Sequence, residues 1–279
     1  MAKIINPSQQ FALQQKIARK SIREYQPKIK AVLQKDFDKA ATLVAKLGAQ
    51  QTVNNRQSLF DSQSINNILR NLYENVGGYT AMRYEKIFDS YKKDDSVDFG
   101  NSQDWKNWLD MMLAYWLSVS GPKLYGIGFT TDSAITKIIQ EAIDYGRSNN
   151  LTLDEINKRA ITNLQDNKLN QVRALLIART ESHQALSSGA MTAVLSSSVP
   201  LYKQWVASEY PAKSGQPRIW HRELDAKTNP EQDGTRIPVT QAFLVNTPGQ
   251  GVIEMQYAHD ANGGAKNNCN CRCCTVYSV

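Results

Sequence analysis

A chain of 279 residues with 41% apolar and 21% charged residues is too long for one small core and too apolar for wholesale disorder. Its longest apolar run, Met111 to Val119, is interrupted by Ser118 and followed by Gly121-Pro122, well short of the ~20 residues of a membrane helix. The opening Met1-Ala2-Lys3-Ile4-Ile5-Asn6-Pro7 lacks the apolar core of a secretion signal, so a cytoplasmic protein with no membrane partner is expected. The formal net charge is +7, and residues 1 to 50 hold ten Lys or Arg against three acids, which places the whole basic excess in the first segment.

From about Ser8 to Leu47 the pattern predicts helix, with a kink or break at Pro27, which lacks an N–H and crowds the preceding turn. Ile29, Leu33, Phe37, Ala40, Val44 and Leu47 recur at steps of three and four and form one apolar stripe that needs a partner. On the first half, Lys16, Arg19, Lys20 and Arg23 share a side. That row can track a phosphate backbone or an acidic protein surface, or simply be a solvated face.

Two further helices are expected at about 60 to 75 and 79 to 92, separated by Gly77-Gly78. In the segment from Gln103 to Ser120, Trp105, Trp108, Leu109, Met112, Trp116 and Val119 lie near one face. This is a core stripe or, alternatively, an exposed docking face. Asp132 to Asn149 reads as helix. Thr152-Leu153-Asp154-Glu155 fits a capping box, which predicts a helix start there, and a last long helix runs from about Lys168 to Leu195.

After Ser196 to Pro200 the character changes, and Leu201 to Ala207, Ala242 to Val245, Val252 to Tyr257 and Cys273 to Val279 read as strands. The fold class is therefore α+β: a mostly helical amino-terminal region followed by a small α+β domain. Three blocks are expected, a basic helical segment at 1–50, a helical domain at 51–196 and the α+β domain at 197–279.

All four cysteines, Cys269, Cys271, Cys273 and Cys274, lie within six positions. In a regular strand Cys269, Cys271 and Cys273 would share a face with neighbours about 7 Å apart, too far for a disulfide, which the cytoplasm also disfavours. Free thiols remain, or a zinc site in which thiolates join His221 or His259 as tetrahedral ligands. The pair His221-Arg222-Glu223 and Cys271-Arg272-Cys273-Cys274 also formally matches the two halves of a zinc-deaminase signature, without the usual proline before the first cysteine and with only five residues after Cys274. No Gly-rich phosphate loop follows a strand, and no Ser, His and acid set stands out.

One longer pattern runs through the carboxy-terminal third. Ile177-Ala178-Arg179-Thr180-Glu181 is followed by Lys203-Gln204-Trp205, Arg218-Ile219-Trp220-His221, Leu224-Asp225, Gly234, Phe243, Tyr257, Asp260 and finally Asn270-Cys271-Arg272-Cys273. In order and rough spacing, over about residues 170 to 275, this resembles the Mu F-like domain of tailed-phage minor head proteins. The stretch Tyr210 to Pro217 departs from it as an insertion, and Ala258-His259 stands where the family often has Pro-Gly.

The resemblance implies a structural protein inside the capsid near the portal vertex, made in the host cytoplasm, with a role in head assembly and DNA packaging or ejection. It implies no catalysis. Its partners would be the portal protein, the major capsid or scaffolding protein, and double-stranded DNA. Arg179, Thr180, Glu181, Trp205, Arg218, His221, Asp225, Asn270 and Arg272 are then structural positions. Arg179 and Glu181 are expected to form a hydrogen-bonded cluster with His221, Asp225 and Arg272, with Arg272 its main polar anchor. Two alternatives stand beside this reading: a zinc-dependent enzyme or nuclease of toxin type, and a non-specific DNA-binding module.

Overall fold

The structure is a computed structural model that describes residues 6–55, 58–89, 102–208 and 218–279. Within them the chain forms α1 (Pro7–Leu47), α2 (Ala49–Asn55), α3 (Ser62–Leu72), a π turn (Tyr73–Gly77), α4 (Gly78–Asp89), α5 (Ser102–Ser148), α6 (Leu153–Gln165) and α7 (Asn167–Ser196). Then follow β1 (Tyr202–Val206), α8 (Ile219–Thr228), β2 (Ile237–Pro238), β3 (Phe243–Thr247), β4 (Gly251–Met255), α9 (Gly264–Asn268) and β5 (Cys274–Ser278). The expected α+β class, helical first and α+β last, is what the chain adopts. Among the described residues, no helix is long and apolar enough to cross a membrane.

Two expected helix breaks are absent. Pro27 lies inside α1 and Pro122 inside α5, so the segments read as 103–120 and 132–149 are one helix. Both prolines are exposed, where water can serve the carbonyl four residues earlier that each deprives of its helical donor. Gly77-Gly78 does not separate two helices either. The chain passes through the π turn from α3 to α4 without leaving helical geometry. The end of the expected 79–92 helix, beyond Asp89, and the insertion at 210–217 lie outside the described residues.

The chain divides into two compact units, each discontinuous in sequence: 24–69 with 119–177, and 1–23 with 70–118 and 178–279. The contiguous blocks read from the sequence do not follow this division, because its boundaries fall within α1, α3, α5 and α7.

The 24–69/119–177 unit is built on aliphatic packing. The stripe of α1 finds its partners in α5 and α6, where Phe37, Ala40 and Val44 cluster with Ile135, Ile139, Ile143, Ile156, Ala160 and Leu164. The capping box forms as read: Glu155 N–H donates to Thr152 Oγ1 at 3.3 Å, and Thr152 N–H donates to Glu155 Oε2 at 2.8 Å.

In the other unit the sheet order is β2-β1-β5, all antiparallel, with Trp205 opposite Thr275 and Val206 opposite Cys274. A separate hairpin pairs β3 with β4. Buried Trp108, Met112 and Trp116 make the α5 stripe a core face rather than a docking face. The outer edge of β5 is covered by two glutamines one helical turn apart on α1. Gln10 both donates to the Tyr277 carbonyl (2.6 Å) and accepts from its N–H (3.0 Å), and Gln14 donates to the Thr275 carbonyl at 2.7 Å. These bonds satisfy backbone groups that would otherwise form an open strand edge.

Candidate functional site

The cysteine-rich segment is not a strand. After α9 the chain turns through Asn270, whose φ of 56° is left-handed, and β5 begins only at Cys274. Asparagine tolerates that conformation better than any other residue except glycine. The turn sends the four thiols to different places. Cys269 is exposed, and Cys274 is buried with its Sγ 3.4 Å from Gln15 Nε2, so neither belongs to the group expected from the sequence. Cys271 and Cys273, by contrast, both meet His221 on α8.

His221 Nδ1 lies 3.5 Å from Cys271 Sγ and 3.5 Å from Cys273 Sγ, and the three atoms lie within 4.8 Å of one another. All three residues are buried. A tetrahedral ion with Zn–S near 2.3 Å and Zn–N near 2.0 Å sets N-to-S edges of about 3.5 Å, so the donor set fits a metal in type and spacing. The imidazole is oriented from behind: its Nε2 sits 3.3 Å from Asn267 Oδ1. That oxygen also accepts from Trp220 Nε1 at 2.8 Å, while Asn267 Nδ2 donates to Thr247 Oγ1 and the Gly263 carbonyl, both at 2.9 Å. The Trp205 ring packs edge-on against His221 at 5.0 Å.

Electrostatics separates the two thiols. Burial pushes Cys271 up, but the hydrogen bond from Cys273 and the neighbouring His259 and His221 outweigh it and hold Cys271 well below the usual thiol range. Cys273 is pushed well above that range, first by its bond to Cys271 and then by burial. The pair thus behaves as one thiolate and one thiol sharing a proton, which is the state a soft cation would replace.

The deaminase match does not assemble. Its thiol pair would be Cys271 and Cys274, yet Cys273 is the second thiol at His221, and Glu223 is exposed on α8.

The other residues of the longer pattern build the surroundings. Asn270 ties the cysteine turn to α7, its Oδ1 accepting from Arg179 Nη1 and its N–H donating to Thr180 Oγ1 at 3.1 Å. Arg218 Nη2 donates to the Cys269 carbonyl at 2.8 Å. Asp225 Oδ2 accepts from Ala207 N–H at 3.0 Å, and Trp205 N–H donates to Thr228 Oγ1 at 2.9 Å, so α8 is fastened to β1 at both residues. Glu181 is buried and accepts from the Tyr73 hydroxyl at 2.8 Å. The tie from α7 to the terminal segment therefore runs through Asn270, where the sequence pointed to Arg272. The Arg272 carbonyl accepts from Gln15 Nε2 at 3.0 Å.

Three residues gain importance that the sequence did not give them. His183 and His259 are buried and stack at 5.1 Å, and His259 Nε2 lies 3.2 Å from the Cys273 carbonyl. Burial, followed by the charge of His259, takes the His183 pKa down to about 3. The chain has only three histidines, and all three are buried in this region. That coincidence was the available signal. Lys203 on β1 is also buried, donating to the carbonyls of Val239 (3.1 Å) and Gln256 (2.7 Å); burial lowers its pKa to about 8.

The basic row of α1 is exposed at Lys16, Arg19, Lys20 and Arg23, as the spacing predicted.

No family model matches this chain, and no curated protein and no solved structure matches it either.

Proposed function

We propose that this chain is a minor head protein of a tailed phage, of the Mu F-like kind, with a structural rather than catalytic role at the portal vertex. One observation carries the reading. The elements of the resemblance, far apart in sequence, are joined by hydrogen bonds: Asn270 to Arg179 and Thr180, and Arg218 to Cys269. A motif whose members brace one another suits a conserved scaffold better than a chance string of common residues. The partners in this reading are the portal protein, the major capsid or scaffolding protein, and DNA along the Lys16–Arg23 row. The test is co-expression of the full chain with the portal protein of the same phage. Co-elution with assembled portal rings is expected; rings that elute without the chain overturn the reading.

The ion that best suits His221, Cys271 and Cys273 is zinc, since two thiolates and an imidazole are soft to borderline donors at tetrahedral spacing. Bound there, it would fasten α8 to the turn ahead of β5. A second reading, a zinc-dependent enzyme or toxin-type nuclease, draws on the same triad, which leaves one tetrahedral position for water or substrate. The burial of all three ligands favours the structural role. Elemental analysis of protein purified without chelators is expected to give one zinc per chain, and a substoichiometric value would leave a metal-free thiol and imidazole cluster.

A further inference from the structure

Beside the cysteine turn lies a cavity of about 270 Å³ whose walls hold four arginines. Arg19 and Arg23 come from α1, Arg179 from α7 and Arg272 from the segment between α9 and β5, with Gln15 and His183 completing the polar lining. Among the described residues no carboxylate lines it.

Four guanidinium groups stay charged at any pH at which the protein is folded, and bringing them to one concavity costs repulsion that water only partly screens. Two of them are held in place within the protein. Arg179 Nη1 donates to Asn270 Oδ1, and Arg23 Nε donates to the Arg19 carbonyl at 3.4 Å. The floor is apolar at Ala18 and Ile22, which lowers the competition from solvent. His183 adds no charge, because its buried ring is neutral near pH 7. Convergent forks that match tetrahedral oxyanions, and a local excess of positive charge without internal compensation, are what a phosphate group requires.

We propose that this cavity is a binding site for a phosphate group, in which Arg19, Arg23, Arg179 and Arg272 converge on the oxyanion and the exposed Lys16 and Lys20 of α1 continue the track. A phosphate of a nucleic-acid strand enters the cavity while the adjoining backbone follows α1. The strand as the source of the phosphate rests on the DNA contact proposed above; the cavity's affinity for phosphate does not.

The full-length protein is titrated calorimetrically with inorganic phosphate and, by fluorescence anisotropy over a range of salt, with a labelled 20-base-pair duplex. Inorganic phosphate is expected to bind saturably, and the double variant Arg19→Gln/Arg23→Gln, both exposed on a helix, to weaken it at least tenfold with an unchanged circular dichroism spectrum. Lys16→Gln/Lys20→Gln is expected to retain phosphate binding while losing duplex affinity and flattening its salt dependence. Arg272→Lys keeps the charge but not the fork and is expected to bind phosphate more weakly than wild type. Phosphate binding without duplex binding leaves the cavity assigned and makes free phosphate its ligand. Absent phosphate binding, or binding indifferent to Arg19→Gln/Arg23→Gln, overturns the site even if duplex binding persists. Tighter binding of a glutamate-rich peptide than of phosphate overturns the ligand class.

Discussion

The buried interior of the 24–69/119–177 unit and that of the carboxy-terminal segment are made on different principles. The first is chiefly aliphatic, with Phe37, Val44, Ile139, Ile143 and Leu164 at its centre. The second buries His183, His221, His259, Lys203, Asn267 and the thiols Cys271 and Cys273 alongside Trp205 and Phe243. Aliphatic packing asks for volume and tolerates substitutions that preserve it. A polar interior asks for direction, since each buried donor or acceptor must find its partner. The contrast separates a scaffold from a place where particular side chains are irreplaceable.

The sharpest way to break this comparison is Asn267→Ala. It would remove the shared partner of His221, Trp220 and Thr247 and leave several buried polar atoms unmet. At ~1 to 3 kcal/mol per orphaned group, the expected loss is about 3 kcal/mol or more, read as a lower denaturant midpoint. An unchanged midpoint would mean that water fills the place and that the polar interior is as forgiving as the aliphatic one.

Acid sharpens the same point. His183 has a folded pKa of about 3 against an ordinary value of 6.5, so between these the unfolded chain binds the extra proton. The stability that comes from keeping His183 neutral is fully present above pH 6.5 and is lost as pH falls towards 3, by about 1.4 kcal/mol per pH unit. Denaturant midpoints measured from pH 7 to pH 5 should fall accordingly in the wild type and less steeply in His183→Gln. Parallel slopes would assign the acid sensitivity elsewhere.

The smallest effect is expected in the aliphatic interior. Ile143→Val removes one methyl group and should cost about 1 kcal/mol by thermal unfolding. A loss as large as that of Asn267→Ala would erase the distinction between the two interiors.

Much of the fold was legible because local and tertiary demands agree. The α1 stripe, the Thr152 cap and the four longer strands each carry a pattern that packing or capping then uses. The uninterrupted α1 and α5 were not, because the local cost of Pro27 and Pro122 is offset by burial along the rest of each helix, which no window around the proline reveals. The site was half legible. The sequence named His221, Cys271 and Cys273 but grouped them with Cys269 and Cys274, since it assumed alternation in a strand where a left-handed Asn270 makes a turn. His259 was set aside as foreign to the family pattern, whereas the fold stacks it on His183.

The π turn at Tyr73–Gly77 has a consequence for how this chain can change length. A π turn holds one more residue than the α-helical ladder needs, and here its last glycine carbonyl lies so close to Gly189 that a side chain there would strike it. Deleting one residue from this turn would keep the chain helical yet rotate everything after it by about 100°. Tyr84 and Phe88, which pack on Tyr277 of the final strand, would swing off that ring. A one-residue deletion here, silent in helix content, would therefore act as a phase error between the middle of the chain and its last strand.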